Sequence, residues 1–354
     1  MSAGIIPGVD AGCIGYKEHF GGTWHGFPEY EVIDGPVSME QTRKILEHEV
    51  VMNPVTLTGD FEGEETEMFA LVRKDTGRVL YKESVSDEYY ITQNKAFLDQ
   101  LQLRILTPNP QVSIESTGTL FAFRVGFVNL LLNRFRVNGD DSETIARLMY
   151  YNAFGGRSIT AGAHTTRIEC ANTMNMAEAQ AYANATIKKF KHTKNAEKRL
   201  ADHLVDLGEM YSLMETHKDA LNWLSSQTIN STEVQRFVGN LFALPAKASK
   251  TMISRRTRER GELLQHFEDC DNLQGAIART RFSMLQAVIW YANNNNIRGD
   301  SDMAYSYFNT VSGGTRDALN QQAFRLLTCQ DIPLPVVDIT EPETAGETEL
   351  APAE

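Results

Sequence analysis

The chain is poor in cysteine. Its four cysteines, Cys13, Cys170, Cys270 and Cys329, are scattered over 354 residues with no C-x-x-C pair and no Cys/His cluster. That argues against a structural zinc site and against a disulfide framework. A long apolar run is also missing. Thr119 to Leu132 is the most apolar stretch, and Arg124 interrupts it well short of bilayer-spanning length. Met1 to Phe20 lacks the basic start and apolar segment of a secretion signal. The expectation is a cytoplasmic protein with no membrane contact. Strand and helix patterns do not alternate, which argues against a doubly wound nucleotide-binding sheet, and no internal repeat appears. What is present is the composition of a globular chain with a full core, 42% hydrophobic and 9% aromatic.

Net positive charge is lacking too. The sum is −12, which at first speaks against a nucleic-acid partner. Its distribution changes that inference. Asp331 to Glu354 holds seven acids and Asp60 to Glu67 holds five, with no Lys or Arg in either, so these two segments carry the whole net charge. Two basic stretches stand out in the neutral remainder. One runs from Lys188 to Arg199, the other from Lys247 through Arg255, Arg256, Arg258 and Arg260. Local sign governs binding to a polyanion more than the whole-chain sum does.

The pattern along the chain is α+β. Residues 1–23 read as a flexible, Gly-rich arm, 24–172 as an α+β domain of β-hairpins with helices, 173–328 as a mainly α-helical region packed on it, and 329–354 as a disordered acidic tail. Ser38 with Gln41 is a capping box opening a helix to about Glu49. Two β-rich runs, Glu67–Arg73 and Arg78–Ser84, flank a Lys74–Gly77 turn and predict a hairpin. Thr92 is expected to cap a helix with Ala96, Phe97 and Leu101 on its apolar side. Gln111 to Val128 reads as strands bent at Gly118 and Gly126. Asp140 with Glu143 suggests another capping box and a helix to about Tyr151. A Gly155-Gly156 turn and a strand over Ser158–Glu169 follow, and Asn172-Thr173 is expected to open a long helix. Leu200, Leu204, Leu207, Tyr211, Met214 and Leu221 alternate by threes and fours, which suits either a helix packed on its own domain or a coiled-coil contact between subunits. Phe282, Leu285, Val288, Ile289 and Ala292 mark the apolar face of another helix, ended by Asn293 to Asn296.

Few motifs carry chemistry. Gly155-Gly156-Arg157-Ser158 lacks the lysine and following helix of a phosphate loop, so it is a turn from which Arg157 can still touch a phosphate. Cys170 precedes an expected helix start, where a dipole can activate a thiol, and His164 shares its strand parity. A buried structural cysteine is the commoner case. Asp60–Glu67 lacks calcium-loop spacing, and Glu115 and Glu169 are carboxylates without a recognisable metal signature. No cofactor, metal or catalytic residue is assigned. In the first basic stretch Lys188, Lys189, Lys191 and Lys194 accompany Phe190 and His192, a mix of cations and rings that suits single-stranded nucleic acid. The alternative is a solvated helix end. Arg255, Arg256 and Arg258 form the matching candidates in the second stretch. The acidic tail is either a solubility segment or a mimic of nucleic acid that competes for the basic groove or docks a partner protein.

An ordered set of short motifs resembles the phage/plasmid-like protein family, a domain of unknown function found in bacteriophages, plasmids and prophages. The pieces are Trp24-His25-Gly26, Gln93-Asn94, Glu115-Ser-Thr-Gly118-Thr-Leu120, Asn152 with Gly155-Gly156 and Ser158, Thr166-Arg167, Cys170-Ala-Asn172-Thr173 and Lys191-His192-Thr193. They span roughly residues 24–325. The family usually shows Asp-Gly where this chain has Gly155-Gly156, and often a proline where it has Thr165. The resemblance transfers no catalytic residue. It implies work on DNA replication, recombination or host takeover, in a host cytoplasm. The order of elements also looks like that of phage single-strand annealing proteins, an analogy at the level of fold. The expected function is therefore a non-catalytic, homo-oligomeric single-stranded-DNA-binding and annealing protein, with Arg157, Lys188, Lys189, Lys191, His192, Lys194, Arg255, Arg256 and Arg258 as contacts. The alternatives are an interaction factor for a host or phage protein and, third, a nucleic-acid-processing enzyme.

Overall fold

A computed structural model describes residues 13–16, 30–56, 65–80, 84–120, 123–155, 158–168, 172–175, 187–203, 207–295 and 314–329. The fold is α+β, with sheets in the N-terminal half and helices toward the C-terminus. Within the expected arm, Cys13–Tyr16 form a strand of the large sheet rather than a loose segment, because they pair with a neighbour on each side. The last residues of the acidic loop, Glu65 to Glu67, begin a strand. The rest of the arm and loop, and the tail beyond Cys329, lie outside the described residues. Among those described, no helix is long and apolar enough to cross a membrane.

The first half opens with β1 (Cys13–Tyr16), β2 (Tyr30–Ile33) and α1 (Met39–Leu46). Ser38 caps α1 in a reciprocal box with Gln41, as the sequence predicts. Then come β3 (Val50–Thr56), β4 (Glu65–Arg73), β5 (Arg78–Val79) and β6 (Val85–Ser86). β4 and β5 form the expected hairpin, turned by Gly77 at φ +67°. With β3 and β6 they make a small sheet over a core of Val50, Leu71, Leu80, Val85, Phe123 and Phe154.

α2 (Asn94–Leu101) follows. Its N-cap is Gln93 rather than Thr92. Thr92 instead offers its carbonyl to Asn152 Nδ2 at 2.8 Å, tying the helix start to the large sheet. That sheet is completed by β7 (Ser113–Leu120), β8 (Val125–Arg136), β9 (Glu143–Ala153), β10 (Ser158–Arg167), β11 (Asn172–Asn175) and β12 (Ile187–Lys191). Its order is β11-β10-β9-β8-β7-β1-β2, with β12 also pairing β10. Gly118 and Gly126 are cross-strand positions within β7 and β8, not bends. A Cβ on Gly126 would sit 3.1 Å from Leu46 and 3.2 Å from Asn94, so close approach of α1 and α2 explains this glycine.

Two expected helix starts are strands. The segment after Asp140 is β9, and every residue from Thr144 to Ala153 is buried. A strand covered on both faces loses the alternation that separates strand from helix in sequence. Asp140 is no cap: it accepts bonds of 2.7 and 2.6 Å from Arg167 and one of 3.1 Å from the Ser142 amide. Asn172-Thr173 opens β11, antiparallel to β10, and the first basic stretch begins as β12. Here pairing with β10 overrides local preference.

The helical half comprises α3 (Ala196–His203), α4 (Leu207–Ser226), α5 (Ser231–Leu241), α6 (Lys250–Asp269), α7 (Arg281–Asn294) and α8 (Thr315–Thr328). One apolar core runs from α1 and α2 through β8, β9 and β10 into these helices. The apolar stripe turns inward: Leu200, Met210, Met214 and Leu221 are buried in that core, and Tyr211 packs against it. Leu204 lies outside the described residues. α7 is central rather than amphipathic. Alongside its predicted face, Met284, Gln286 and Ala287 are buried. It ends at Asn294, within the predicted asparagine run.

Candidate nucleic-acid interface

Among the described residues β12 lies on the edge of the large sheet, bonded to β10 through the register Ser158↔Lys191, Ile159↔Phe190, Thr160↔Lys189 and Ala161↔Lys188. Successive side chains on a strand point to opposite faces. Phe190 packs against the core, so Lys188 shares its face and is half-buried, whereas Lys189 and Lys191 project from the other face and are exposed. Residues two apart on a strand stand about 7 Å from each other. Lys194 and Lys198 are exposed just beyond the strand. From 187 to 203 the chain carries six cations against two carboxylates, Glu197 and Asp202. Among the described residues no carboxylate pairs with Lys188, Lys189, Lys191 or Lys194.

The end of β12 is clasped from beneath. His192 is buried, and its Nε2 donates to the Ala153 carbonyl at 2.9 Å. Its ring lies against Phe154 at 6.0 Å and Tyr89 at 5.2 Å between centroids. Burial lowers its pKa, outweighing the bond to Ala153, which acts the other way. Behind the strand, Arg199 donates to the Lys191 carbonyl at 3.2 Å and to Thr193 Oγ1 at 2.8 Å. His192 and Phe190 therefore support the strand. The sequence-based expectation that they would offer stacking surfaces is corrected by their inward orientation. Arg157 lies outside the described residues.

The second basic stretch is built differently. Ser249 caps α6 and accepts from the Met252 amide at 3.2 Å. Arg256 reaches Glu259 at 2.7 Å and lies over the Phe242 ring, 5.7 Å from its centroid. Arg255 faces the same Glu259 at 3.8 Å, and Arg258 faces Glu262 at 3.6 Å. Arg260 donates to the Phe242 carbonyl at 2.9 Å. Among the described residues β12 packs chiefly on β10 and α3, and α6 on α7, so the two stretches are carried by different groups of elements.

A buried polar row crosses the large sheet. A bulge between Ile114 and Ser116 turns Glu115 toward Arg147 on β9, and the fully buried pair includes a bond from Arg147 Nη2 to Glu115 Oε1 of 3.0 Å. Bulges re-aim side chains in this way. Asn129 Nδ2 donates to Ser116 Oγ at 2.9 Å, and His164 stands across from Arg147 in the β9–β10 register. Glu115 is thus held by an arginine. The sequence offered no signal for Arg147, because only the strand register brings it to Glu115. Cys170 and Glu169 lie outside the described residues. Among those described, no group of three or more His, Cys, Asp or Glu could hold a metal ion.

A family model described as Domain of unknown function (DUF932) matches residues 82–326, well over half of the chain. No curated protein and no solved structure matches it.

Proposed function

The chain belongs to the DUF932 family, a domain of unknown function, and from the sheet edge described above we propose that it binds nucleic acid by holding a single strand along β12. The observation that carries this is the cluster of lysines at β12, with Lys189 and Lys191 exposed on its outward face, Lys188 half-buried on the other and Lys194 exposed just beyond its end, none of them with a carboxylate partner among the described residues. Lysine ammonium groups neutralise phosphates and release condensed counterions, a sequence-independent attraction. With Phe190 and His192 turned into the core, the strand grips the nucleic-acid backbone and leaves the bases free. Free bases are what annealing requires, so binding of this kind brings complementary strands together on neighbouring protomers without covalent chemistry. The resemblance to phage and plasmid proteins supports assigning that work to the replication or recombination of a mobile element. The seven acids of Asp331–Glu354 supply a competing polyanion or a contact for a partner protein.

The test is a titration of fluorescent single-stranded DNA across salt concentrations. The expected result is tight binding at low salt whose logarithm falls by about 0.7 per phosphate neutralised for each unit of log salt. Absence of binding at low salt, by both the full chain and a chain ending at Cys329, would sink the proposal.

A further inference from the structure

The acids of α6 have a second consequence at the C-terminal half of that helix. Glu262, His266, Asp269 and Cys270 recur at helical spacing on one face, and Trp290 and Tyr291 of α7 stand opposite. Together they line a cleft of about 410 Å³, within the range of small-ligand sites. The His266 and Trp290 rings stack face to face at 3.7 Å and 10°, which holds both rings in place and leaves their outer faces for a further planar group. Two carboxylates and an indole face the same space, and no lysine or arginine lines it. Glu262 meets Arg258 only at 3.6 Å with both side chains largely exposed, a weak restraint. Asp269 has no cation partner among the described residues.

We propose that this cleft is a binding site for a small guanidinium-bearing cation, with Glu262 and Asp269 taking the charge and an outer face of the Trp290–His266 stack taking the flat face. A planar guanidinium satisfies both walls at once, because it pairs with carboxylates through a fork of N–H donors and stacks on aromatic rings. An anion would meet two carboxylates, and an apolar ligand would strip water from them without replacing it. The surrounding groups suit a cation. Burial lowers the His266 pKa, so its ring is neutral near pH 7 and does not repel the ligand. Burial, with Glu259 and Glu262 nearby, pushes the Tyr291 hydroxyl up to about 12, which keeps it a neutral donor. The site is separate from β12 and does not depend on nucleic-acid binding.

Calorimetric titration of the full chain with ethylguanidinium, and separately with its neutral isostere ethylurea, tests the assignment. Saturable binding of ethylguanidinium with no binding of ethylurea is the expected result. Asp269→Asn with Glu262→Gln, both exposed at the cleft rim and outside the core, should weaken it on the order of tenfold or more. Trp290→Leu should do likewise, with circular dichroism checking that this variant folds. Equal binding of the two probes, no binding of either, or an unchanged affinity in the double variant would overturn the proposal.

Discussion

β12 and α6 present similar runs of basic residues in sequence and opposite results in space. On α6 the helical repeat places Glu259 and Glu262 three or four positions from Arg255, Arg256 and Arg258, and each arginine finds a carboxylate on its own helix. On β12 the repeat is two, no acid lies within the strand, and the pairing with β10 sends Lys189 and Lys191 outward. A third set of cations, Arg147 and Arg167, is buried against Glu115 and Asp140. The lesson is that a cation's role follows from the period of the element carrying it and from its burial, more than from local charge density.

That contrast can be broken at each of its members. The largest effect is expected at the buried pair. Arg147→Met leaves Glu115 buried without its counter-charge and should cost about 3–5 kcal/mol of stability, read by denaturant unfolding. The lysines should behave in the opposite way. Lys188→Gln, Lys189→Gln and Lys191→Gln together should leave stability within about 0.5 kcal/mol but weaken DNA binding by roughly a hundredfold at low salt. The same variant should make the salt slope shallower by about 2, three phosphates at about 0.7 each. A triple variant that binds like the parent would remove β12 from the interface.

The clasp beneath β12 makes a smaller, pH-dependent prediction. Because burial lowers the folded-state pKa of His192 below its usual 6.5, the unfolded chain takes up a proton first as pH falls. Stability should therefore be unaffected by this group above pH 6.5 and decline below it, at no more than about 1.4 kcal/mol per pH unit. Thermal unfolding from pH 7.5 to 5 should show the decline, and His192→Gln should flatten it. The smallest effect belongs to α6. Arg255→Gln with Arg258→Gln removes two exposed ion pairs, and both stability and DNA affinity should move little, by about 0.5 kcal/mol or less. A loss matching that of the lysine variant would erase the distinction between the two regions.

Much of the fold's local grammar was legible. The Ser38–Gln41 box, the β4–β5 hairpin, the strand after the Gly155 turn and the end of α7 at the asparagine run all follow from short-range chemistry. The failures share one cause. β9 looks helical because neighbours bury both its faces and so remove the strand's alternation, and Asp140 resembles a cap because the sequence does not reveal Arg167 beside it. Of the candidate contacts, the lysines of β12 are singled out in the sequence by charge alone. The inward turn of His192 and Phe190 needed the register with β10 and the Ala153 carbonyl.

The sequence by itself determined the α+β character, the concentration of acid in two segments and the existence of two basic stretches, because composition, turn chemistry and caps act over a few residues. Only the tertiary structure decided that the first stretch is an edge strand, that the apolar stripe of α4 faces its own core, and that Glu115 is spent on Arg147. Those outcomes depend on pairing and burial between residues far apart in the chain, and no local pattern encodes them.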